Sequence, residues 1–322
     1  MPGPALAVVG AGSMGALHAR VVHSSPRADL AVVVEPREEV GRAVAERYGA
    51  RWAPDLSGLA GVDAVIVAAA TSAHHPLALE VMAAGLPLLV EKPMADSLAR
   101  SEEIVAAAAG AGLPLMCGLL ERYNSAVVTA ARLTRDPVHV SALRHSPYAP
   151  RIATGVAWDL LVHDVDLALR LFGDEPASLD ARFGYFHPRS LAGAEDLAEV
   201  QLAFPQGRLA TLSASRIGQR KVRSLTITEV DRAIEVDLLR QTVTIYRHVD
   251  AEAASDDGLG YRQQTVIEIP AIVSLGEPLA VQFARFLDLV EGSADADAER
   301  AAILPSHRVV ARALDAAPVL QV

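Results

Sequence analysis

The chain has 322 residues, enough for two domains of ordinary size and a substantial core. Its 39 acidic residues against 29 lysines and arginines give a formal net charge of −10, which speaks against binding nucleic-acid phosphates. The single cysteine, Cys117, excludes a disulfide within the chain and predicts a reducing, cytoplasmic setting. Apolar stretches such as Ala60 to Ala70 fall short of the about 20 residues of a membrane span, and no cationic leader segment precedes the first apolar run, so neither a span nor a signal peptide is expected.

Ala5 to Val9 is apolar throughout, as in a parallel strand buried on both faces. A helix is predicted over Ser13 to Ser24, a strand over Leu30 to Val34 and a helix over Arg37 to Tyr48. The alternation continues with strand Asp63 to Ala68, helix His74 to Ala84, strand Leu86 to Val90, helix Ser97 to Ala109 and strand Leu113 to Cys117. Such strand–helix alternation predicts a doubly wound parallel sheet with right-handed crossovers. Beyond a boundary near Leu120 the pattern changes, dividing the chain into 1–120 and 121–322.

The second part holds helices over Asn124 to Leu133 and Trp158 to Leu171, with a strand over Val138 to Arg144 between them. Six further strands are predicted: Leu197 to Phe204, Leu209 to Ser215, Ser224 to Glu229, Ile234 to Leu238, Thr242 to Arg247 and Thr265 to Ile269. Alternation such as Ser224-Leu225-Thr226-Ile227-Thr228 predicts an antiparallel sheet with one solvated face, hence an α+β domain. Ala251 to Tyr261 reads as a surface loop, and Pro278 to Glu291 and Ala298 to Ala316 as closing helices. The broad sheet face has no helices left in sequence to cover it and predicts a homodimer or homotetramer.

The first strand runs into Gly10-Ala11-Gly12-Ser13-Met14-Gly15, a G-x-G-x-x-G turn ahead of a helix. Glycines there allow backbone N–H groups to approach a pyrophosphate at the helix N-terminus. Glu35 ends the second strand, where a carboxylate bonds the adenosine ribose hydroxyls and favours NAD over NADP. Arg37 is either a solvated side chain or the holder of a 2′-phosphate, which keeps NADP open.

Glu91-Lys92-Pro93 follows the strand ending at Val90, and the carboxyl ends of strands carry the catalytic groups of open α/β sheets. Lys92 there either donates to a substrate oxygen or is a surface lysine. In Trp158-Asp159-Leu160-Leu161-Val162-His163-Asp164-Val165-Asp166, Asp159 and His163 share a helix face. The pair suits a general base held by a carboxylate; a plain surface pair is the alternative. No third ligand shares that face, so no metal is expected. Arg144, Tyr148 and Arg151 precede this helix and form either a local basic pocket for a phosphate or carboxylate substituent or a solvated loop.

Taken together, the glycine turn, Glu91-Lys92-Pro93 and the Asp159/His163 pair resemble the glucose–fructose oxidoreductase/inositol dehydrogenase/MocA family over essentially the whole chain. Ala69-Ala70-Thr71-Ser72-Ala73-His74 is similar to the family's Thr-Pro-x-x-x-His loop at the nicotinamide end, with alanines for the Thr and Pro. The resemblance implies a Rossmann domain followed by an α+β domain with an open, mainly antiparallel sheet that often forms the subunit interface. It implies cofactor contacts from Gly10, Gly12, Ser13, Met14, Gly15, Glu35, Arg37, Thr71, His74, Glu91 and Lys92. Lys92, Asp159 and His163 would surround the reacting carbon, with His163 as the acid/base. Glu121-Arg122-Tyr123-Asn124 resembles a segment of UDP-N-acetylglucosamine 3-dehydrogenases, which puts Tyr123 and Asn124 beside Arg144, Tyr148 and Arg151 as substrate contacts. The implied activity is NAD(P)-dependent hydride transfer at a secondary alcohol or ketone carbon of a sugar or nucleotide sugar. The alternatives are an inositol or cyclitol dehydrogenase and a cofactor-binding regulator without turnover.

Overall fold

The computed structural model describes residues 3–150, 152, 154–255 and 258–317, with only the backbone described between 250 and 263. The chain opens with β1 (Ala5–Val9), α1 (Ser13–Ser24), β2 (Asp29–Val34), α2 (Glu38–Arg47), β3 (Arg51–Ala53) and β4 (Ala64–Val67). It continues with α3 (Thr71–Ala83), β5 (Leu88–Val90), α4 (Leu98–Ala111) and β6 (Leu115–Cys117). These six strands form one sheet in the order β3-β2-β1-β4-β5-β6, parallel at every pairing. The strand order reverses beside β1, which places the Gly10–Gly15 turn at the topological switch point where α/β sheets bind ligands. Val, Leu and Ile of β1, β4 and β5 are almost wholly buried, as strands covered on both faces require. Strand β3 was not anticipated, because Arg51-Trp52-Ala53 is too short to show a period.

The next stretch holds α5 (Ser125–Leu133), β7 (His139–His145), a π-helical turn (Ala157–Leu161) and α6 (Val162–Phe172). It then supplies β8 (Ser178–Gly184), β9 (Leu197–Ala203), β10 (Leu209–Ser215), β11 (Val222–Thr228), β12 (Ala233–Asp237), β13 (Thr242–Ser255) and β14 (Gly258–Glu268). The eight strands lie in the order β14-β13-β12-β11-β7-β10-β9-β8, antiparallel except for the parallel pair β7–β10. Alternation along β7 buries Val140, Ala142 and Arg144 and turns Leu143 outward. Within the expected loop over Ala251 to Tyr261, residues 251–255 and 258–261 instead pair as antiparallel strands, in a register running from Ile245↔Glu268 to Ser255↔Gly258. Cross-strand pairing overrides the weak strand propensity of their Ala, Ser and Gly.

The chain closes with α7 (Pro278–Val290), α8 (Ala296–Ala301) and α9 (Leu304–Ala316). Pro305 falls in the first turn of α9, the helical position that needs no N–H partner, so the single helix expected over Ala298 to Ala316 is two. The chain divides into one unit of Met1–Leu120 with Gly276–Ala311 and another of Glu121–Leu275 with Arg312–Val322. The expected second domain, 121–322, therefore returns 276–311 to the first unit. The reason is specific contact: Arg20 pairs with Glu277, Arg27 with Asp288 at 2.8 Å, and Arg300 donates to the Leu113 carbonyl at 2.8 Å.

Candidate active site

In the first unit, Gly10 has φ of 96°, and a Cβ there would lie 2.8 Å from the Ala68 and Ala69 backbone. A Cβ on Gly15 would lie 1.8 Å from the Gly10 carbonyl oxygen, so helix and turn approach as only glycine permits. Gly12 differs: a Cβ there would meet nothing within 4 Å, and the space beside it is open. The first turn of α1, with exposed Ser13 and half-buried Met14, has no side-chain cap and no acidic residue. Uncapped N–H groups beside open space are the donor set a pyrophosphate needs, and the site fits a dinucleotide.

Glu35 stands at the end of β2 and is 3% exposed. Its Oε2 accepts from the Ala11 N–H at 2.9 Å and from Arg37 Nη2 at 3.1 Å, and its Oε1 accepts from Arg37 Nε at 2.7 Å. The Arg37 hydrogen bond foremost, with the Ala11 N–H, holds the Glu35 carboxyl below the usual carboxylate range against the opposing effect of burial. Glu35 is thus an anion fastened to the glycine turn, the arrangement that accepts ribose hydroxyls and repels a 2′-phosphate.

Half-buried Thr71 begins α3. His74, expected at the cofactor, is 1% exposed, and both ring nitrogens face carbonyls, Pro93 at 2.9 Å and Ala69 at 3.1 Å. Burial lowers its pKa, against the raising effect of those two carbonyls. His74 therefore braces the Ala69 loop against the Glu91-Lys92-Pro93 segment instead of presenting a free nitrogen. Glu91 also departs from expectation. Its side chain turns inward, with Oε1 2.7 Å from His18 Nε2 and Oε2 accepting the Lys92 N–H at 3.2 Å. Burial would push Glu91 up, yet the hydrogen bond and charge of His18, with the charge and N–H of Lys92, hold it below the usual range. Lys92 follows half-buried, at a cis peptide to Pro93.

In the second unit, Asp159 lies in the π-helical turn and His163 begins the second residue of α6, where it is 8% exposed. Single π turns within helices occur disproportionately at functional sites. The Glu195 carboxylate caps the turn by accepting the Ala157 N–H at 2.8 Å. Gly155 has to be glycine beside it, because a Cβ would lie 2.0 Å from Glu195 Oε2. Arg216 Nη2 donates to Asp159 Oδ2 at 3.3 Å, so Asp159 is held by a guanidinium from the end of β10.

Arg144 is corrected as a substrate contact. It is 2% exposed and donates to both oxygens of Asp164, at 2.9 and 2.7 Å, and to Glu121 at 2.8 Å. Asn124 is likewise buried: its amide donates to the Leu238 carbonyl at 3.0 Å and its oxygen caps α5 at the Ala126 N–H. Tyr148 stacks on His187 with ring centroids 3.6 Å apart and donates its hydroxyl to the Arg189 carbonyl at 2.7 Å. Tyr123 is half-buried, and Arg151 lies outside the described residues. Asp166 makes a two-pronged pair with Arg122 at 2.8 and 2.6 Å. Arg223 was not anticipated; it contacts Glu121 once, at 3.3 Å, and its side chain is 39% exposed. His18, Glu195 and Arg216 were also missed. Arg216, a charge closing an apolar strand, was the one with a visible signal.

Among the described residues no cluster of three or more His, Cys, Asp or Glu side chains is arranged to hold a metal ion, and no helix is long and apolar enough to cross a membrane. Residues 5–119 match an oxidoreductase family with an NAD-binding Rossmann fold, and residues 128–235 match the GFO/IDH/MocA C-terminal domain. The UDP-N-acetylglucosamine 3-dehydrogenase of Acidithiobacillus ferrooxidans is 31% identical over 242 residues, 74% of this chain and 75% of that one. Its solved structure superposes with a TM-score of 0.83 over 98% of both chains, at 26% identity. GenD2 from gentamicin A biosynthesis, solved with NAD, gives a TM-score of 0.80 at 25% identity over 98% of this chain and 93% of that one. The chain belongs to the GFO/IDH/MocA family of oxidoreductases, and its cofactor is NAD.

Proposed function

We propose that the protein is an NAD-dependent dehydrogenase or ketoreductase acting on a secondary alcohol or ketone carbon of a sugar or nucleotide sugar, with inositols and related cyclitols as the alternative substrates. The observation that carries this reading is the Asp159/His163 pair at the π-to-α junction, with Arg216 fixing Asp159 at 3.3 Å. A cofactor-binding regulator would have no need of that pair. Lys92 adds support. The chain has two lysines among its 29 lysines and arginines, so arginine is its general cation, and the strand end carries one of the exceptions. A lysine is a compact donor whose charge responds to its surroundings, which suits work on a substrate oxygen.

Bound NAD supplies the hydride acceptor. His163 takes the hydroxyl proton as the carbinol is oxidised, and returns it in the reverse direction. Lys92 donates to the same oxygen and stabilises its alkoxide character, while Asp159 orients the imidazole. Arg223 replaces Arg144 as the proposed ligand of an anionic substituent, because its guanidinium is part-exposed and held by one long contact. Nucleotide sugars are therefore placed ahead of free sugars, in keeping with the name of the Acidithiobacillus ferrooxidans relative; an inositol 2-dehydrogenase of Saccharopolyspora erythraea, 34% identical over 53% of this chain, motivates the alternative. We also propose a cytoplasmic homodimer or homotetramer, joined through the sheet face that turns Leu143 outward.

The test is NAD reduction across UDP-N-acetylglucosamine, UDP-glucose, glucose and myo-inositol, with the parent and Arg223→Gln. The expected result is turnover of a nucleotide sugar, with KM raised about tenfold in Arg223→Gln. Turnover of myo-inositol alone, with Arg223→Gln unchanged, transfers the reading to the cyclitol class; NAD binding without turnover of any alcohol overturns it.

A further inference from the structure

Helices α5 and α6 flank a cavity of about 540 Å³, a volume within the range of small-ligand sites. Its lining residues all belong to the second unit. The apolar lining includes buried Val127 and Leu167 and half-buried Leu171. Three arginines complete it: Arg122, Arg132 and Arg170. Arg122 is engaged, with its guanidinium on both oxygens of Asp166 at 2.8 and 2.6 Å and its side chain 6% exposed. Arg132 and Arg170 are different. Both are exposed, and their side chains make no hydrogen bond or ion pair among the described residues. A basic residue in the last turn of a helix ordinarily serves the free carbonyls there. Here other groups do that work. At the end of α5, Thr134 Oγ1 donates to the Ala130 carbonyl at 2.9 Å, and Arg232 donates to that of Leu133. At the end of α6, the Gly173 N–H donates to the Leu169 carbonyl at 2.8 Å, and Arg208 to that of Phe172 at 3.1 Å. Two guanidinium groups are thus left over beside one apolar cavity, in a chain whose acidic residues outnumber its lysines and arginines.

We propose that this cavity binds a small amphipathic anion, with an apolar body against Val127, Leu167 and Leu171 and a phosphate or carboxylate head held by Arg132 and Arg170. Charge complementarity selects the head. A guanidinium is a planar fork of donors that matches both kinds of oxyanion, and neither arginine has another partner to give up. The lining selects the body. A bare inorganic ion would leave Val127, Leu167 and Leu171 uncovered, whereas an alkyl or ring group removes apolar surface from water on both sides. A neutral apolar molecule would cover the lining and leave the two charges unmatched. Each half of the ligand is therefore called for by a different part of the cavity.

The test needs no sugar substrate and so stands apart from the proposed activity. The full chain, saturated with NAD so that the glycine turn is filled, is titrated by calorimetry with octyl phosphate, inorganic phosphate and octanol. Octyl phosphate is expected to bind saturably, one per chain, and at least about tenfold more tightly than either other probe. The double variant Arg132→Gln/Arg170→Gln removes the donors to the head, and its affinity for octyl phosphate is expected to fall about tenfold. Ala131→Trp, at another lining position, fills the cavity and is expected to weaken binding by the same order. Arg223→Gln is expected to leave it unchanged. Thermal melting shows which variants remain folded. Parental affinity in the folded double variant, or a loss in Arg223→Gln in its place, overturns the proposal. Should the double variant fail to fold, parental affinity in Ala131→Trp overturns it. Absence of saturable binding to the parent also overturns it and leaves the cavity to a protein segment. Inorganic phosphate or octanol binding as tightly as octyl phosphate overturns the amphipathic ligand and reduces the cavity to an ion contact or an apolar one.

Discussion

The glycine turn of the first unit and the arginine–carboxylate layer of the second perform comparable tasks by opposite means. The turn works through backbone: Gly10 and Gly15 clear space, Gly12 leaves it open, and the α1 N–H groups face it. The layer works through side chains. Arg144 from β7 and Arg216 after β10 are set against Glu121, Asp159 and Asp164, with partners 20, 23 and 57 residues apart in sequence. A backbone site tolerates most neighbours but few changes at its glycines. A side-chain layer depends on every member, because removing one leaves another charged and buried.

The largest effect that would break this contrast is in the layer. Asp164→Ala strands the Arg144 guanidinium, and a loss of about 3–5 kcal/mol is expected in urea unfolding of the second unit. A loss below 1 kcal/mol would mean that Glu121 alone satisfies Arg144. The glycines sharpen the other side. Gly15→Ala drives a Cβ into the Gly10 carbonyl and is expected to abolish NAD binding together with stability. Gly12→Ala has room in the protein and is expected to fold normally while NAD affinity falls about tenfold, or ~1.4 kcal/mol. Equal thermal destabilisation by the two would contradict the distinction drawn between them.

Cofactor choice is a smaller effect. Glu35→Ser removes the anion that repels a 2′-phosphate and frees Arg37, so the NAD-over-NADP preference is expected to narrow by about tenfold in fluorescence titrations. The smallest concerns pH. Burial opposes ionisation of Glu121, but the Arg144 charge and hydrogen bond hold its carboxyl below the usual range. A carboxyl lowered in the folded state contributes stability above its unfolded pKa and loses it as pH falls through the folded value. Thermal stability is therefore expected to be level from neutrality to about pH 5 and to fall below about pH 4, more gently in Glu121→Gln.

The parts legible from sequence are those with a local signature. The parallel strands announce themselves by unbroken apolar runs, and the glycine turn by spacing within six residues. Asp159 and His163 are visible as a pair because a helix brings them together. What stayed hidden depends on partners far along the chain. Nothing near His18 points to Glu91, 73 residues away, and nothing near Arg144 shows that Asp164 and Glu121 take up its donors. Arg144 looked available because an arginine on a strand ahead of α6 carries no sign in sequence of what it faces. The strands after Thr242 were hidden differently, since residues 251–255 and 258–261 pair with each other across the ladder in spite of the weak strand propensity of their Ala, Ser and Gly residues.

The proposed catalytic role of Asp159 and His163 is tested most directly by His163→Ala, assayed for NAD reduction with the best substrate of the panel between pH 6 and 9. Loss of a positioned general base typically lowers rate about 10²–10⁴-fold, and kcat is expected to fall by that order with NAD affinity unchanged and the rise of rate with pH gone. A folded His163→Ala protein that turns over at the parental rate, with the parental pH profile, would reduce Asp159 and His163 to a structural pair and contradict the proposed chemistry.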